Sequence, residues 1–309
     1  MISTFFSKTK PINYVVLSAF LVLFFGFYHI YGPSVPVLNE NYGLNTLILI
    51  ALLVEMLMIN EIVRREKVTD FTSFAMLFFV LLLVVFPESM MDKNVVFCNF
   101  FLLLASWRML SVKTIKNVKH KIFDASFCIG VASLFINWAL IYFVLVFLVI
   151  NLYDRGNFKN WLVPIIGIFT VGMLTSGVLY LYDGLSFLED HYRFQFNFLM
   201  ADYSLFEILK SSIYIFISLV IMVLVFVRLR QKGGGKLLSL RILFFSFILS
   251  GLVLLLSIPA LNAALLGLFP VSVFMTNYLE SVKQNRYKEV ALVILMFLPF
   301  FILAVQLSS

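Results

Sequence analysis

Residues 119–152 read KHKIFDASFCIGVASLFINWALIYFVLVFLVINL, and the path of this stretch decides the topology of the whole chain. As one straight helix it would be about 50 Å long, whereas the hydrocarbon core of a bilayer is only about 30 Å thick. Asn137 and Trp138 lie close to its middle. The alternative to one long helix is therefore a hairpin of two short helices that turns at Asn137 and Trp138.

The composition of the chain places this stretch in a membrane. Of its 309 residues, 62% are hydrophobic and 13% are charged, and the mean hydropathy is +1.03. Soluble domains are about half apolar and a quarter charged. The composition excludes an ordinary soluble enzyme, a disordered chain, a disulfide scaffold and a coiled coil. In a membrane protein the net charge of +7 reports orientation, so we predict no nucleic-acid partner.

Nine further stretches are apolar and long enough to form membrane-spanning helices. They are residues 12–30, 46–62, 71–86, 95–111, 161–182, 211–228, 238–257, 260–279 and 289–307. With the hairpin they predict an all-α, polytopic transmembrane bundle of about 11 helices. We predict one integral membrane domain over residues 1–309, with an extracytoplasmic interfacial segment at 183–209.

The distribution of lysine and arginine favours the hairpin over a single crossing, because basic residues concentrate in cytoplasmic loops. With a hairpin and a cytoplasmic N-terminus, 20 basic residues lie inside and 3 outside. With a single crossing, 12 basic residues would lie inside and 11 outside. We therefore predict a multi-pass protein of the bacterial inner membrane, with the N-terminus cytoplasmic and the C-terminus periplasmic. A full crossing and a re-entrant hairpin are both compatible with these numbers.

Three polar side chains lie within predicted membrane helices. Glu55 is in the second helix, where a carboxylate is energetically costly and indicates either a functional site, such as the centre of a transporter, or a hydrogen bond to a neighbouring helix. Asp124 is predicted to cap the first arm of the hairpin, where it would accept N–H hydrogen bonds. Asn137 is predicted to lie in the hairpin turn.

The predicted outer loops contain the candidate acids for chemistry on an extracytoplasmic substrate. Glu40 and Glu88 could each act as a general base, and each could also be a solvated loop residue. Asp183 is the third candidate, as part of the wall of an outward-facing site in the segment 183–209. Glu189, Asp190 and His191 follow one another without a second histidine, which does not form a metal site. We predict no metal and no cofactor.

Several stretches resemble an uncharacterised multi-pass inner-membrane family of Bacteroidota. They are MISTFFSKTKPINY at 1–14, VVFPES at 84–89, KIFDASFCIGVASLF at 121–135, NWLVPIIG at 160–167 and LFPVSVFMTNYLE at 268–280. This family brings no established activity. The resemblance implies a bacterial inner-membrane protein.

The hairpin region, IGVASLFINWALIYFVLVFLVINLYDRGNFKNWLVPIIG at 129–167, also resembles the central region of the GT-C glycosyltransferases. This resemblance implies a helical scaffold with an outward-facing site for polyprenyl-phosphate sugars. The first outer loop of those enzymes is large and carries an acidic catalytic motif. Here it is the short YGPSVPVLNENYG at 31–43 with Glu40 as its single acid, so no catalytic residue is carried over.

Three functions follow from these patterns. The first is a non-catalytic subunit of an inner-membrane envelope complex, for protein export or for handling lipid-linked glycans. The alternative is a polyprenyl-phosphate-sugar-dependent glycosyltransferase of the GT-C type that acts at the periplasmic face. The third is a transporter centred on Glu55. The expected partners are membrane lipids, other inner-membrane proteins and a polyprenyl-linked glycan.

Overall fold

The described part of the chain is helical throughout. The computed structural model describes residues 2–32, 42–70, 72–194, 205–229, 235–257, 262–282 and 284–308. Within these ranges it has no β-strand. The helices are α1 (Ile2–Phe6), α2 (Pro11–Tyr31), α3 (Tyr42–Arg65), α4 (Phe74–Val85), α5 (Pro87–Met91), α6 (Lys93–Ser111), α7 (Val118–Ser133), α8 (Phe143–Tyr153), α9 (Phe158–Leu181), α10 (Ser186–His191), α11 (Leu205–Leu229), α12 (Gly235–Leu256), α13 (Leu268–Ser281) and α14 (Asn285–Ser308).

This architecture confirms the predicted multi-pass helical bundle. Eight helical segments in the described ranges are long and apolar enough to cross a membrane, namely α2, α3, α6, α9, α11, α12, α13 with the 3₁₀ turn before it, and α14. The shorter apolar helix α4 and the two arms of the hairpin complete the bundle. The helix ends follow local chemistry: Pro11 begins α2, and the Asp92 carboxylate caps α6 by accepting from Asn94 N at 2.8 Å.

Residues 118–153 form the predicted hairpin. The first arm is α7, and the second is a 3₁₀ turn at Asn137–Tyr142 that continues into α8. The tip contacts the segment that follows α9, because His191 Nε2 lies 2.8 Å from the Ser133 carbonyl oxygen. The second arm ends beside the start of α9, where Asn160 Nδ2 donates to the Asp154 carboxylate at 2.6 Å, and α9 is 24 residues long. The two short arms therefore run alongside α9.

The predicted inner segments contact one another at one end of the bundle. Lys113 Nζ lies 3.1 Å from the Glu66 carboxylate, and Lys236 Nζ lies 3.4 Å from that of Asp70. Arg228 donates to Ser281 Oγ at 2.6 Å. We name this the basic end. The opposite end, which carries Glu88, Asp92, Asp183, Glu189 and Glu207, is the acidic end.

The helices differ sharply in how much of their surface lies inside the protein. Every residue of α4 is buried, and this helix packs against α2, α3, α13 and α14. In an 18-residue stretch of the span that includes α13, 89% of the residues are buried, against 17% in α9, α11 and α14. The core is thus built around α4 and α13, whereas α9, α11 and α14 lie at the periphery.

The hairpin packs against α9 through small residues. A Cβ atom added to Gly167 of α9 would lie 2.8 Å from Ser126 Cβ and 3.2 Å from the Phe123 carbonyl oxygen. One added to Gly130 of α7 would lie 3.0 Å from a methyl group of Val171. Small residues allow membrane helices to approach closely and to pack well without a hydrophobic driving force. The two glycines therefore determine the distance between α7 and α9.

We expect Gly167→Leu to destabilise the protein, because the added side chain has to separate α7 from α9. Overpacking of this kind costs about 1–3 kcal/mol. Thermal unfolding of the purified protein in detergent would show a lower midpoint. The matched control is Gly177→Leu on the same helix, where an added Cβ has no neighbour within 4 Å. Equal midpoints for the two variants would contradict the close α7–α9 packing.

Candidate functional site

A buried polar cluster lies at the acidic end, where α5, α11 and α14 meet. Lys210 Nζ of α11 lies 3.2 and 3.4 Å from the two carboxylate oxygens of Glu88 in α5. It also donates to Gln306 Oε1 of α14 at 3.3 Å, and the Gln306 amide in turn donates to Glu88. We name these three residues the Glu88 cluster. It joins two peripheral helices to the core.

The surroundings of the Glu88 cluster make it a desolvated ion pair. The side chain of Lys210 is 2% exposed and that of Glu88 is 14% exposed. The ammonium group lies over the rings of Phe86 and Phe206, at 5.3 and 6.0 Å from their centroids. A buried charge needs its partner, because removing one member leaves the other charged and desolvated. The ion pair of Glu88 with Lys210 therefore holds α11 against α5.

The sequence pattern did not reveal this pair. The sequence predicts Glu88 as a candidate base but contains no pattern that connects it with Lys210 or Gln306. Lys210 is the only basic residue between Arg193 and Arg228. A lone lysine at the start of an apolar helix was the available signal, but its partner is 122 residues away.

Glu55 has a hydrogen-bonding partner on a neighbouring helix. Asn99 Nδ2 of α6 donates to Glu55 Oε2 of α3 at 3.0 Å, and both residues are at most 1% exposed. Among the described residues, Glu55 Oε1 has no hydrogen-bond partner. The sequence predicts a hydrogen bond of this kind to a neighbouring helix as one of two alternatives for Glu55. The pair links two core helices within the membrane-spanning region.

Asp124 does not cap the hairpin, and that prediction was wrong. The helix α7 begins at Val118, so Asp124 lies in its second turn, where the backbone N–H groups are already bonded within the helix. Its carboxylate instead lies 3.2 Å from Arg108 Nε of α6. The side chain is 41% exposed, which makes this a partly solvated ion pair at the basic end.

Asn137 lies at the hairpin tip, where the sequence predicts a turn. Its Oδ1 accepts from Trp138 N at 2.8 Å, and its Nδ2 donates to the His191 carbonyl oxygen at 3.0 Å. The Tyr192 hydroxyl lies 2.9 Å from Ser133 Oγ. The segment after α9 thus covers the tip and satisfies its polar groups.

The other two candidate acids occupy different surroundings. Asp183 follows α9 with a left-handed backbone (φ 52°) and an exposed side chain. This conformation lets Gly184 N donate to the Leu179 carbonyl oxygen at 2.9 Å, which closes the helix end. Glu40 lies outside the described residues, as do residues 195–204 of the predicted interfacial segment. Of the candidate acids that the structure describes, Glu88 is the one that it brings together with Lys210 and Gln306.

Over the described ranges, no group of three or more histidine, cysteine, aspartate or glutamate side chains could hold a metal ion. What the geometry does define is a polytopic helical membrane protein whose buried polar groups join pairs of helices. The chain belongs to DUF6427, a family of unknown function, whose family model matches residues 5–308. No curated protein and no solved structure matches it.

We expect Lys210→Met to destabilise the protein, because the Glu88 carboxylate loses its cation in a buried site. Breaking one side of such a pair costs about 3–5 kcal/mol. Adding Glu88→Gln to that variant should recover much of the loss, which thermal unfolding in detergent would measure. In the exposed Asp190–Arg193 pair, whose atoms are 3.6 Å apart, Arg193→Gln should change stability by at most about 1 kcal/mol. If the Lys210→Met protein were as stable as the control, the Glu88–Lys210 ion pair would not hold α11 in place.

Glu55→Gln should fold with nearly unchanged stability, because glutamine keeps the volume and the oxygen that accepts from Asn99. Glu55→Leu should destabilise by about 1–3 kcal/mol, since it leaves the Asn99 amide buried without its acceptor. The double variant Glu55→Leu/Asn99→Leu should regain stability, because both polar groups are then removed. Unfolding midpoints of all three variants test this order. Equal losses in Glu55→Gln and Glu55→Leu would instead show that the charge itself is required.

Proposed function

We propose that this chain is a non-catalytic integral subunit of an inner-membrane envelope complex in a bacterium of the Bacteroidota. The supporting observation is the outward face of α9, where the described residues leave Gly172 without a neighbour. The proposal places the basic end and the N-terminus in the cytoplasm, as expected from the excess of lysine and arginine there. The complex would serve protein export or the handling of lipid-linked glycans.

The two faces of α9 have the same small-residue character but different surroundings. On the inward face, Gly167 receives the hairpin. On the outward face, an added Cβ atom at Gly172 would have no neighbour within 4 Å among the described residues, and Ser176 is half-buried. Gly172 and Ser176 are one helical turn apart and share a face. Small residues at this spacing are typical of contacts between membrane helices, which supports a second helix docking here.

The contacts that three acidic side chains make within the chain also support a structural role. Glu88 is paired with Lys210, Glu55 accepts a hydrogen bond from Asn99, and the Asp124 carboxylate lies next to Arg108. Each contact joins two helices of the bundle. The polar groups thus hold one rigid arrangement together, and α9 presents its outer face from that arrangement. A GT-C-like scaffold without catalysis of its own is the form of subunit that we propose.

The proposal predicts that Gly172→Ile weakens association with the partner, because the branched side chain prevents close helix approach. In a tagged protein purified from native membranes in mild detergent, the apparent mass of the complex should fall to that of the chain alone. A tenfold weaker association corresponds to about 1.4 kcal/mol. The matched control is Gly26→Ile in α2, where an added Cβ also has no neighbour within 4 Å. A wild-type protein that always emerges as a monomer would refute the subunit proposal.

A further inference from the structure

Glu55 lies near the middle of a membrane-spanning helix, and its side chain is fully buried. The helix α3 begins at Tyr42 and ends at Arg65. At the rise of an α-helix, Glu55 is about 20 Å from the first of these residues and about 15 Å from the second. The basic residues of α3, Arg64 and Arg65, lie in its last turn and contact Glu61. The helix itself therefore brings neither water nor a cation to Glu55.

The helices that pack against α3 do not place a cation next to Glu55 either. These helices are α2, α4, α5 and α6. The helix α4 contains no charged residue, α5 contributes Glu88, and His29 lies in the last turn of α2. The basic residues of α6 are Lys93 and Arg108, which lie about 9 and 14 Å along the helix axis from the residue that donates to Glu55. Within the ranges that the structure describes, these neighbours leave a Glu55 carboxylate without a counter-charge.

The contacts of the Glu55 carboxyl group fit a neutral acid. Asn99 Nδ2 donates to Oε2 at 3.0 Å, and Oε1 is buried without a hydrogen-bond partner in the described part of the chain. Cys98, next to Asn99, is also fully buried, and its thiol brings no positive charge. A buried ionised carboxylate needs a cation or several hydrogen bonds, because it leaves water at a high cost in free energy. A carboxylic acid needs less, since its carbonyl oxygen accepts from one donor and its other oxygen carries the proton.

We infer that Glu55 is a proton-binding site, and that the folded protein holds an uncharged carboxylic acid in the middle of the membrane. The proton comes from the aqueous phase and forms an O–H bond at Oε1, which cancels the negative charge of the carboxylate. Acidic residues inside membrane helices occur in the proton relays of pumps and transporters. The ligand of this site is thus a proton and not a metal cation. The inference is independent of the proposed subunit role, which rests on α9.

The test is the infrared spectrum of the purified chain in detergent at neutral pH. A protonated carboxyl group has a C=O stretching band that is separate from the amide bands and from those of ionised carboxylates. We expect the difference spectrum between the wild-type protein and Glu55→Gln to contain this band with the intensity of a single carboxyl group. The matched control is Glu61→Gln on the same helix. Because Glu61 is paired with Arg64 and Arg65, this variant should keep the band.

A second variant, Asn99→Leu, keeps the acid and removes its hydrogen-bond donor. A hydrogen bond to a carbonyl oxygen lowers its stretching frequency, so the Glu55 band should move to higher frequency in this variant. The shift also identifies the band if Glu55→Gln does not fold. A difference spectrum that shows an ionised carboxylate at Glu55 would overturn the inference. So would a carboxylic-acid band that Glu55→Gln does not remove and Asn99→Leu does not shift.

Discussion

The fold depends on how the polar groups at the tip of the hairpin are satisfied. A chain that reverses direction exposes backbone groups that helical hydrogen bonds no longer satisfy, and such groups are costly next to lipid. Here the Ser133 carbonyl oxygen contacts His191, and Asn137 donates to the backbone of the segment that follows α9. This contact allows two short arms to replace one overlong helix. The direction of every later helix follows from that reversal.

Hydropathy and charge were sufficient to predict the helices but not their neighbours. The apolar stretches and the turn at Asn137 were identified because length and polarity are local properties of the sequence. The sequence does not show that α4 is buried and α9 exposed, because lipid and the protein interior are both apolar and select similar side chains. Lys210 and Gln306 were missed for a related reason: their partner Glu88 is 122 and 218 residues away. Asp124 was assigned to a helix start that lies six residues earlier, at Val118.

Polar groups and small residues have separate tasks in this bundle. Ion pairs and amide–carboxylate contacts join helices at defined points: the Glu88 cluster at the acidic end and Lys113 with Glu66 at the basic end. Between these points, close approach depends on glycine, as at Gly130 and Gly167. Without a hydrophobic driving force between helices, such specific contacts select one arrangement.

The position of α9 has a mechanical consequence. Its inward face is in contact with the hairpin at Gly167, and the segment that follows it covers the hairpin tip through His191 and Tyr192. The helix is thus coupled to the hairpin at two separate heights. A neighbouring helix that tilted α9 would therefore also displace the hairpin tip. A contact made within the bilayer would in this way change the position of residues at the acidic end. The helix α9 thus links the membrane-spanning part of the bundle mechanically to the hairpin tip.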